Sequence, residues 1–488
     1  MLQTDLEDFL EKFPTEILTP IFGTLHFKDR VECAKVCRRW RACLLNMPAV
    51  WSTIALDTAK HHQDANFLSG SQSCYLERVL ERGHVRAFSL KGPGPGIMSA
   101  LGLLGEEGCK SIEKLALEAE PVWDLPGLDA VIFRRICGPG LRDLKLVDIG
   151  LPADDDSWSL LFSFLTWEAS IRLPLPQMLP QCPNLRLLQV DEGQITQSTL
   201  MTLTRQPCVW CPALQVLRIT SQSLSSLSTD ISYRVRNDTP GLKNLEIQGE
   251  TLALSGQTAG KLIMQNYHTL EHLAFWLSTS DTQDNPSSAR DLSQYVHSLA
   301  DLLPLETFRL RGGSSGSRLL DCLAPKCPFL RKLELVSVYL NQHVLLRFLA
   351  ACSQLTEVYM RSVSRDGEDG SYSHTPVSKV HSLPFLEKLE IIGCSALRRD
   401  FFQYLPQLDC LSSFILVSFM RVYGYDLEEF FASKTPNLEY AYLTKNLGIS
   451  RQVIESLSQL PRLKVVRCRE FPEEERRILL QSGIEVIY

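Results

Sequence analysis

The stretch Cys327-Pro328-Phe329-Leu330-Arg331-Lys332-Leu333-Glu334-Leu335 decides the fold. Leu333 and Leu335 follow Leu330 at +3 and +5, and they alternate as a short strand with one buried face requires. Pro328 stands two places before the first leucine, where a residue with no N–H and a fixed φ ends a helix and turns the chain into a strand. The spacing recurs fourteen times. It begins with Val85/Phe88/Leu90, Ile112/Leu115/Leu117, Leu141/Leu144/Leu146, Leu185/Leu188/Val190 and Leu214/Leu217/Ile219. It continues with Leu242/Leu245/Ile247, Leu270/Leu273/Phe275, Leu305/Phe308/Leu310, Leu330/Leu333/Leu335 and Leu355/Val358/Met360. It ends with Leu386/Leu389/Ile391, Leu411/Phe414/Leu416, Leu438/Ala441/Leu443 and Leu463/Val466/Cys468. The steps between first positions are 27, 29, 44, 29, 28, 28, 35, 25, 25, 31, 25, 27 and 25 residues. Such a unit holds one strand and one return helix, and cannot bury its apolar face alone; stacked units are expected to form a parallel sheet covered by helices.

Proline precedes the first apolar position by two in seven units: Pro183, Pro212, Pro240, Pro328, Pro384, Pro436 and Pro461. Cysteine stands one place earlier in five: Cys109, Cys182, Cys211, Cys327 and Cys352. The fragments CPNLRLLQV, CPALQVLRI and CPFLRKLEL resemble the cysteine-containing class of leucine-rich repeat, with Cys394 in LEKLEIIGC at that class's other cysteine position. The resemblance spans roughly residues 85–470 and implies an α/β solenoid with its parallel sheet on the concave face and its helices on the convex face. The long steps carry polar filler at Asp148–Ser159, Ser278–Arg290 and Ser362–Ser378, expected to leave one rim with Gly92–Gly96 and Gly312–Ser317. At the C-terminus, Pro472 and Glu473–Glu475 predict a helix stopped by Gly483, and Ile484–Tyr488 a last strand that caps the array.

Residues 13–51, FPTEILTPIFGTLHFKDRVECAKVCRRWRACLLNMPAVW, do not follow the repeat. Pro14 and Glu16 open a helix with Ile17, Leu18, Ile21, Phe22 and Leu25 at helical spacing, and Asp29 is expected to cap a second helix carrying Val31, Ala34, Val36, Cys37 and Trp40. About forty residues bury too little surface to stand alone, so this module leans on the array or on a partner. The stretch resembles the F-box, with Phe13 where leucine is usual and Thr24 where an aromatic is commoner. That resemblance implies docking on a Skp-type adaptor, and through it cullin and RING subunits, by Pro14, Ile17, Leu18, Ile21, Leu25, Val36, Cys37 and Trp40. In sequence, each of these could equally pack the module's own core. Trp51, Ile54 and Leu56 repeat the +3, +5 spacing at once, so residues 52–84 read as a junction and first degenerate repeat, and residues 85–488 as the solenoid with its cap; residues 1–12 form a tail.

With 50 basic and 56 acidic residues the net charge is −6, against the basic excess that phosphate neutralisation needs, and no nucleic-acid partner is expected. No apolar run reaches the length of a membrane span, and Asp5, Glu7, Asp8 and Glu11 stand where a secretory signal would be basic and then apolar. Fifteen dispersed cysteines fit buried thiols in a reducing compartment, cytoplasmic or nuclear. Catalytic patterns dissolve on inspection. Gly312-Gly313-Ser314-Ser315-Gly316 spells a hydrolase elbow without its strand–turn–helix setting, and Cys208-Val209-Trp210-Cys211 has no second pair at zinc spacing. Asp154–Asp156 lack calcium-loop spacing, His61-His62 have no evident partner, and Lys91–Gly96 reads as a turn rather than a phosphate loop. No catalytic residue, cofactor or metal is expected.

What remains is the outward face of the strands, where Trp276, Arg309, Arg311, Tyr359, Arg361, Tyr440, Tyr442, Arg467 and Arg469 are candidates for binding a protein substrate, these being residue types enriched at binding hot spots. The two resemblances together imply a substrate receptor of an SCF-type cullin–RING ubiquitin ligase; the alternative is an F-box scaffold that assembles proteins without ubiquitylation.

Overall fold

The computed structural model describes residues 13–57, 70–104, 106–120, 136–147, 179–191, 211–221, 241–249, 256–276, 287–299, 302–312, 316–365, 380–398, 400–417, 424–444, 449–468 and 473–487. The chain divides into two compact units, residues 1–224 with 236–240, and residues 225–235 with 241–488.

The first unit opens with four short helices: α1 (Thr15–Gly23), α2 (Phe27–Lys35), α3 (Arg38–Leu45) and α4 (Pro48–Trp51). The helix expected to run from Asp29 to Trp40 is two helices. The first begins after His26, which puts Asp29 inside its first turn, and the chain turns extended at Cys37. There the Cys37 sulfur accepts the Trp40 amide N–H at 3.4 Å and caps α3. The strands β1 (Thr53–Asp57), β2 (Ala87–Pro93), β3 (Lys114–Glu120), β4 (Asp143–Val147), β5 (Leu187–Asp191) and β6 (Val216–Ser221) follow, each parallel to the next. Register keeps the buried positions in rows: Ile54 lies opposite Phe88, then Leu115, Leu144, Leu188 and Leu217. Helices α5 (Gly70–Glu81), α6 (Gly94–Gly102) and α7 (Glu106–Ser111) lie between the early strands. The turn expected at Lys91–Gly96 is instead the end of β2 running into α6, with proline near the helix start, where its missing N–H costs nothing.

In the second unit, β7 (Asn244–Gly249), β8 (His272–Trp276), β9 (Thr307–Arg311) and β10 (Lys332–Val336) are followed in the same sheet by β12 (Glu357–Arg361), β14 (Lys388–Ile392), β15 (Ser413–Val417), β16 (Tyr440–Leu443), β17 (Val465–Cys468) and β18 (Glu485–Ile487). From β7 onward each strand of this sheet pairs with the next in parallel, and β11 (Tyr339–Leu340) and β13 (Ser364–Arg365) form a separate two-residue parallel ladder. The return helices α8 (Gly256–Asn266), α9 (Ser287–Ser298), α10 (Gly316–Leu323) and α11 (Gln342–Ala351) pack side by side as a second layer. So do α12 (Phe401–Tyr404), α13 (Gly424–Lys434), α14 (Arg451–Ser458) and α15 (Glu473–Gln481). The order of elements is an α/β, solenoid-like alternation of parallel strand and helix after an N-terminal helical module.

All fourteen apolar triplets are buried. Before most strands the first apolar residue closes a tight turn on the residue three places earlier, as in Leu214 N–H to the Cys211 carbonyl at 2.9 Å and Leu330 N–H to that of Cys327 at 3.3 Å. The repeated cysteine fits this corner because a small apolar side chain is buried there while its backbone carbonyl makes the turn. After the strands, Gly312, Ser337, Ser362 and Gly393 take positive φ of 70, 53, 51 and 62° and pass their N–H groups to the next strand's last carbonyl. Of the polar insertions, 148–159, 278–286 and 366–378 lie outside the described residues; Ser287–Arg290 are the first turn of α9, and Ser364–Arg365 form β13.

Candidate functional site

The N-terminal module separates the apolar residues of its sequence into two sets. Leu18 and Phe22 from α1, Phe27, Val31 and Ala34 from α2, and Leu44, Leu45 and Trp51 form its interior, with Phe27 edge-on to Trp51 at 6.1 Å. Trp40 is half-buried, edge-on to Phe22 at 5.8 Å, and Leu25 is half-buried too. Left outside are Pro14 and Cys37 together with Phe13, Ile17, Ile21 and Val36, whose exposures are 38, 45, 42 and 65%. Ile17 and Ile21 are four residues apart on one helix and so share a face. Of the eight residues named from the pattern, Leu18 therefore serves the interior, while Pro14, Ile17, Ile21, Val36 and Cys37 face solvent. Phe13, singled out only as a departure from the pattern, belongs with the exposed set.

Polar groups tie the module to the first repeats. Arg30, only 7% exposed, donates from Nε to the Leu25 carbonyl at 2.8 Å and from Nη2 to that of Gly23 at 2.8 Å, and its Nη1 reaches the Val50 carbonyl and, at 3.0 Å, the Thr53 carbonyl at the start of β1. Burial lowers its pKa. The Trp51 indole N–H donates to the Leu44 carbonyl at 2.8 Å. From α5, the Tyr75 hydroxyl donates to the Ala34 carbonyl at 3.2 Å, and Arg82 donates to the Leu45 carbonyl at 2.9 Å and the Asn46 side chain at 3.1 Å. The last turn of the module and the first strand thus share hydrogen bonds without an intervening linker.

Residues 10–57 match the F-box-like family model. The match starts before Phe13, ends with β1, and supports an adaptor-binding role for the F-box-like module, whose implied partner is a Skp-type adaptor. No curated protein matches the chain. Among solved structures, a chain in the crystal structure of the yeast Rad7 and Elc1 complex is similar at 13% identity and a TM-score of 0.38, over 93% of this chain and 90% of that one.

Beyond the F-box-like module, the strand residues between and beside the buried pairs in the second unit form three rows. In the middle row Arg309 donates to Glu334 at 2.7 Å and lies 3.8 Å from Glu246. Beside it, Lys332 and Lys388 flank Glu357 at 3.0 and 3.4 Å. The Tyr359 hydroxyl donates to Glu357 at 3.0 Å while Lys332 stands 4.7 Å from its ring centroid. Arg361 grips one oxygen of Glu390 through Nε and Nη2 at 2.9 and 2.6 Å. Glu390 itself is 8% exposed, so this charge is held in the sheet surface rather than in water. Burial alone would raise the Glu357 pKa, but the hydrogen bonds from Lys332 and Tyr359 and the charges of Lys332 and Lys388 bring it below its ordinary value. Burial and the adjacent Glu357 carboxylate push the Tyr359 phenol up to about 12.

Two of the substrate-binding candidates are arranged differently. Arg311 lies over Trp276, 3.9 Å from the ring centroid, and Arg467 lies 5.2 Å from that of Tyr442. Register sets each pair opposite on adjacent strands. Tyr440 is half-buried on β16, and Arg469 lies outside the described residues. The carboxylates Glu246, Glu334 and Glu390 were missed from sequence; they occupy the same strand positions as the candidates, and a search weighted to Arg, Tyr and Trp passes over them. Among the described residues no group of three or more His, Cys, Asp or Glu is placed to hold a metal, and no helix is long and apolar enough to cross a membrane. Cys208 and Ser314, from the two motif matches, lie outside the described residues; Cys211 is buried with its sulfur 3.3 Å from the Leu179 carbonyl.

Proposed function

We propose that this protein is the substrate-recognition subunit of an SCF-type cullin–RING ubiquitin ligase. Its F-box-like module docks a Skp-type adaptor, which links it to cullin and RING subunits, and its repeats, of the leucine-rich class, bind a protein substrate. The chain does no bond chemistry and needs no cofactor or metal; it works in a reducing compartment, cytoplasm or nucleus. The observation that carries the reading is the exposed apolar set Pro14, Ile17, Ile21 and Val36 on a module that matches the F-box-like model. A module whose interior is already filled by other residues has no internal use for exposed isoleucines at helical spacing, and an apolar helix face of this kind fits a hydrophobic groove on a partner. The hydrogen bonds of Arg30, Tyr75 and Arg82 support the arrangement, since a direct junction fixes where the repeats stand relative to the adaptor.

Co-purification with a Skp-type adaptor tests it. The I17A/I21A variant should lose the adaptor while its circular dichroism spectrum and Tm stay close to those of the parent, because exposed substitutions usually move stability by about 0.5 kcal/mol or less. Undiminished adaptor binding by a folded variant would sink the docking assignment. Substrate recognition is tested separately: ubiquitylation of a bound protein by the reconstituted ligase should require residues 241–488, and a chain that binds adaptor but supports no transfer would be a scaffold.

A further inference from the structure

Among the described residues of strands β7 to β17, the charged side chains on the outward face pair with one another, with two exceptions. Glu246, Glu334, Glu357 and Glu390 all have a cation within ion-pair distance: Arg309, Lys332, Lys388 or Arg361. Arg311 and Arg467 have no carboxylate partner among the described residues, and the Nε–H of each is buried without an acceptor. A buried donor left unpaired costs about 1–3 kcal/mol and calls for an explanation. Each guanidinium lies over an aromatic ring, 3.9 Å from the Trp276 centroid for Arg311 and 5.2 Å from the Tyr442 centroid for Arg467, a contact that restricts the side chain before any ligand arrives.

β9 and β17 are six strand steps apart in this sheet, about 29 Å at about 4.8 Å per step. An extended chain advances about 3.3 Å per residue and covers that distance in about nine residues. The surface crossed on the way passes Glu334, Arg361 and Glu390, whose charges are already paired within the face, and then Ile392, Ile415 and Tyr442, all half-buried, so that among the described residues it offers an incoming segment no unpaired charge between the two ends. We propose that this face binds an extended protein segment with an acidic side chain at each end, about nine residues apart, and an apolar centre. Carboxylates are preferred over phosphates because each unpaired arginine stands alone. A phosphate is typically held by a cluster of cations, whereas one planar guanidinium matches one carboxylate. The inference rests on the reading of the repeats as the recognition surface and names the chemistry of what they recognise.

The test is fluorescence anisotropy with the full-length chain and a labelled peptide that has two aspartates at each end of a leucine- and alanine-rich centre. Binding should weaken at least tenfold in R311Q and in R467Q, more in the double variant, and also when the aspartates are replaced by asparagines. It should weaken steeply as salt is raised. R347Q, on the helical layer, should bind as the parent does. Equal binding by R311Q/R467Q and parent, or no binding by the parent, overturns the inference, as does a parent that binds only a phosphoserine version of the peptide. Adaptor co-purification of the same proteins keeps the two readings apart. Retained adaptor with no peptide binding removes this inference alone, and an adaptor that never binds the parent removes the ligase reading whatever the peptide does.

Discussion

Arg30 is a charged residue used as an internal fastener. Its guanidinium serves carbonyls from the end of α1, the following turn, α4 and the start of β1, all groups that no regular ladder satisfies. Lysine is a single point donor and cannot replace a planar fork at those four places. R30K should therefore destabilise the N-terminal part by about 3 kcal/mol, read as an earlier urea midpoint, because several buried carbonyls lose their donors at once; a midpoint shift within error would show that the network adds little. The cysteines give a second residue-scale prediction. Cys327, Cys352 and Cys394 are buried and their thiols are pushed up by burial, to about 12 for Cys352 and about 11 for Cys394. Cys37, Cys74 and Cys410 are exposed. In the native protein a thiol reagent at pH 8 should label the exposed three within minutes and the buried three only on unfolding; rapid native labelling of Cys352 would place that corner wrongly.

At the scale of the element, the turn after each strand is where the repeat is most constrained. Gly393 holds a φ of 62°, and its N–H reaches the Val417 carbonyl, so a side chain there meets backbone strain before it meets any neighbour. G393A should cost about 1–2 kcal/mol. Ser337 and Ser362 occupy the same turn with a Cβ, and S337G should be neutral or slightly stabilising in the same thermal melt; a loss comparable to that of G393A would refute strain as the cause. Gly316 differs, since an added Cβ would fall 2.2 Å from Val338 Cγ1 and 2.9 Å from the Tyr339 carbonyl oxygen. That close approach gives a packing reason for the glycine that completes the hydrolase-like pattern. The strands and their buried faces were legible because spacing alone fixes them. The break at Cys37 and the helix at Gly94 were not. Both depend on single-residue backbone choices, an extended cysteine and a proline near a helix start, that periodicity does not encode. Ile17, Leu18 and Ile21 share one helical pattern in the sequence, and the separation of the exposed isoleucines from buried Leu18 needed the packing of α1 on its neighbours.

Across the whole molecule, the small excess of acidic residues hides how the charges are distributed. The second unit places ion pairs along one sheet face, and most of these side chains remain partly exposed. Pairs of that kind contribute about 0–1 kcal/mol each and are screened by salt, so the array owes its stability mainly to the buried rows. Raising sodium chloride from low to about half molar should shift Tm by a few degrees at most, and a much larger fall would make the ladder a principal source of stability. Acid probes the same face from the other side. The folded pKa of Glu357 lies below its ordinary 4.5, so the folded state holds this carboxylate ionised more strongly than the unfolded chain does. Its contribution is complete above pH 4.5 and is lost as pH falls through the folded value. E357Q should therefore lower stability at neutral pH and flatten the decline below pH 4.5 in urea titrations followed by circular dichroism, and parallel acid limbs for the two proteins would remove Glu357 as a source of the pH dependence. Among the described residues this face is largely paired internally and weak in its contribution to stability, and the buried Nε–H groups of Arg311 and Arg467 are left without acceptors, which makes those two positions the ones where the inferred recognition is tested.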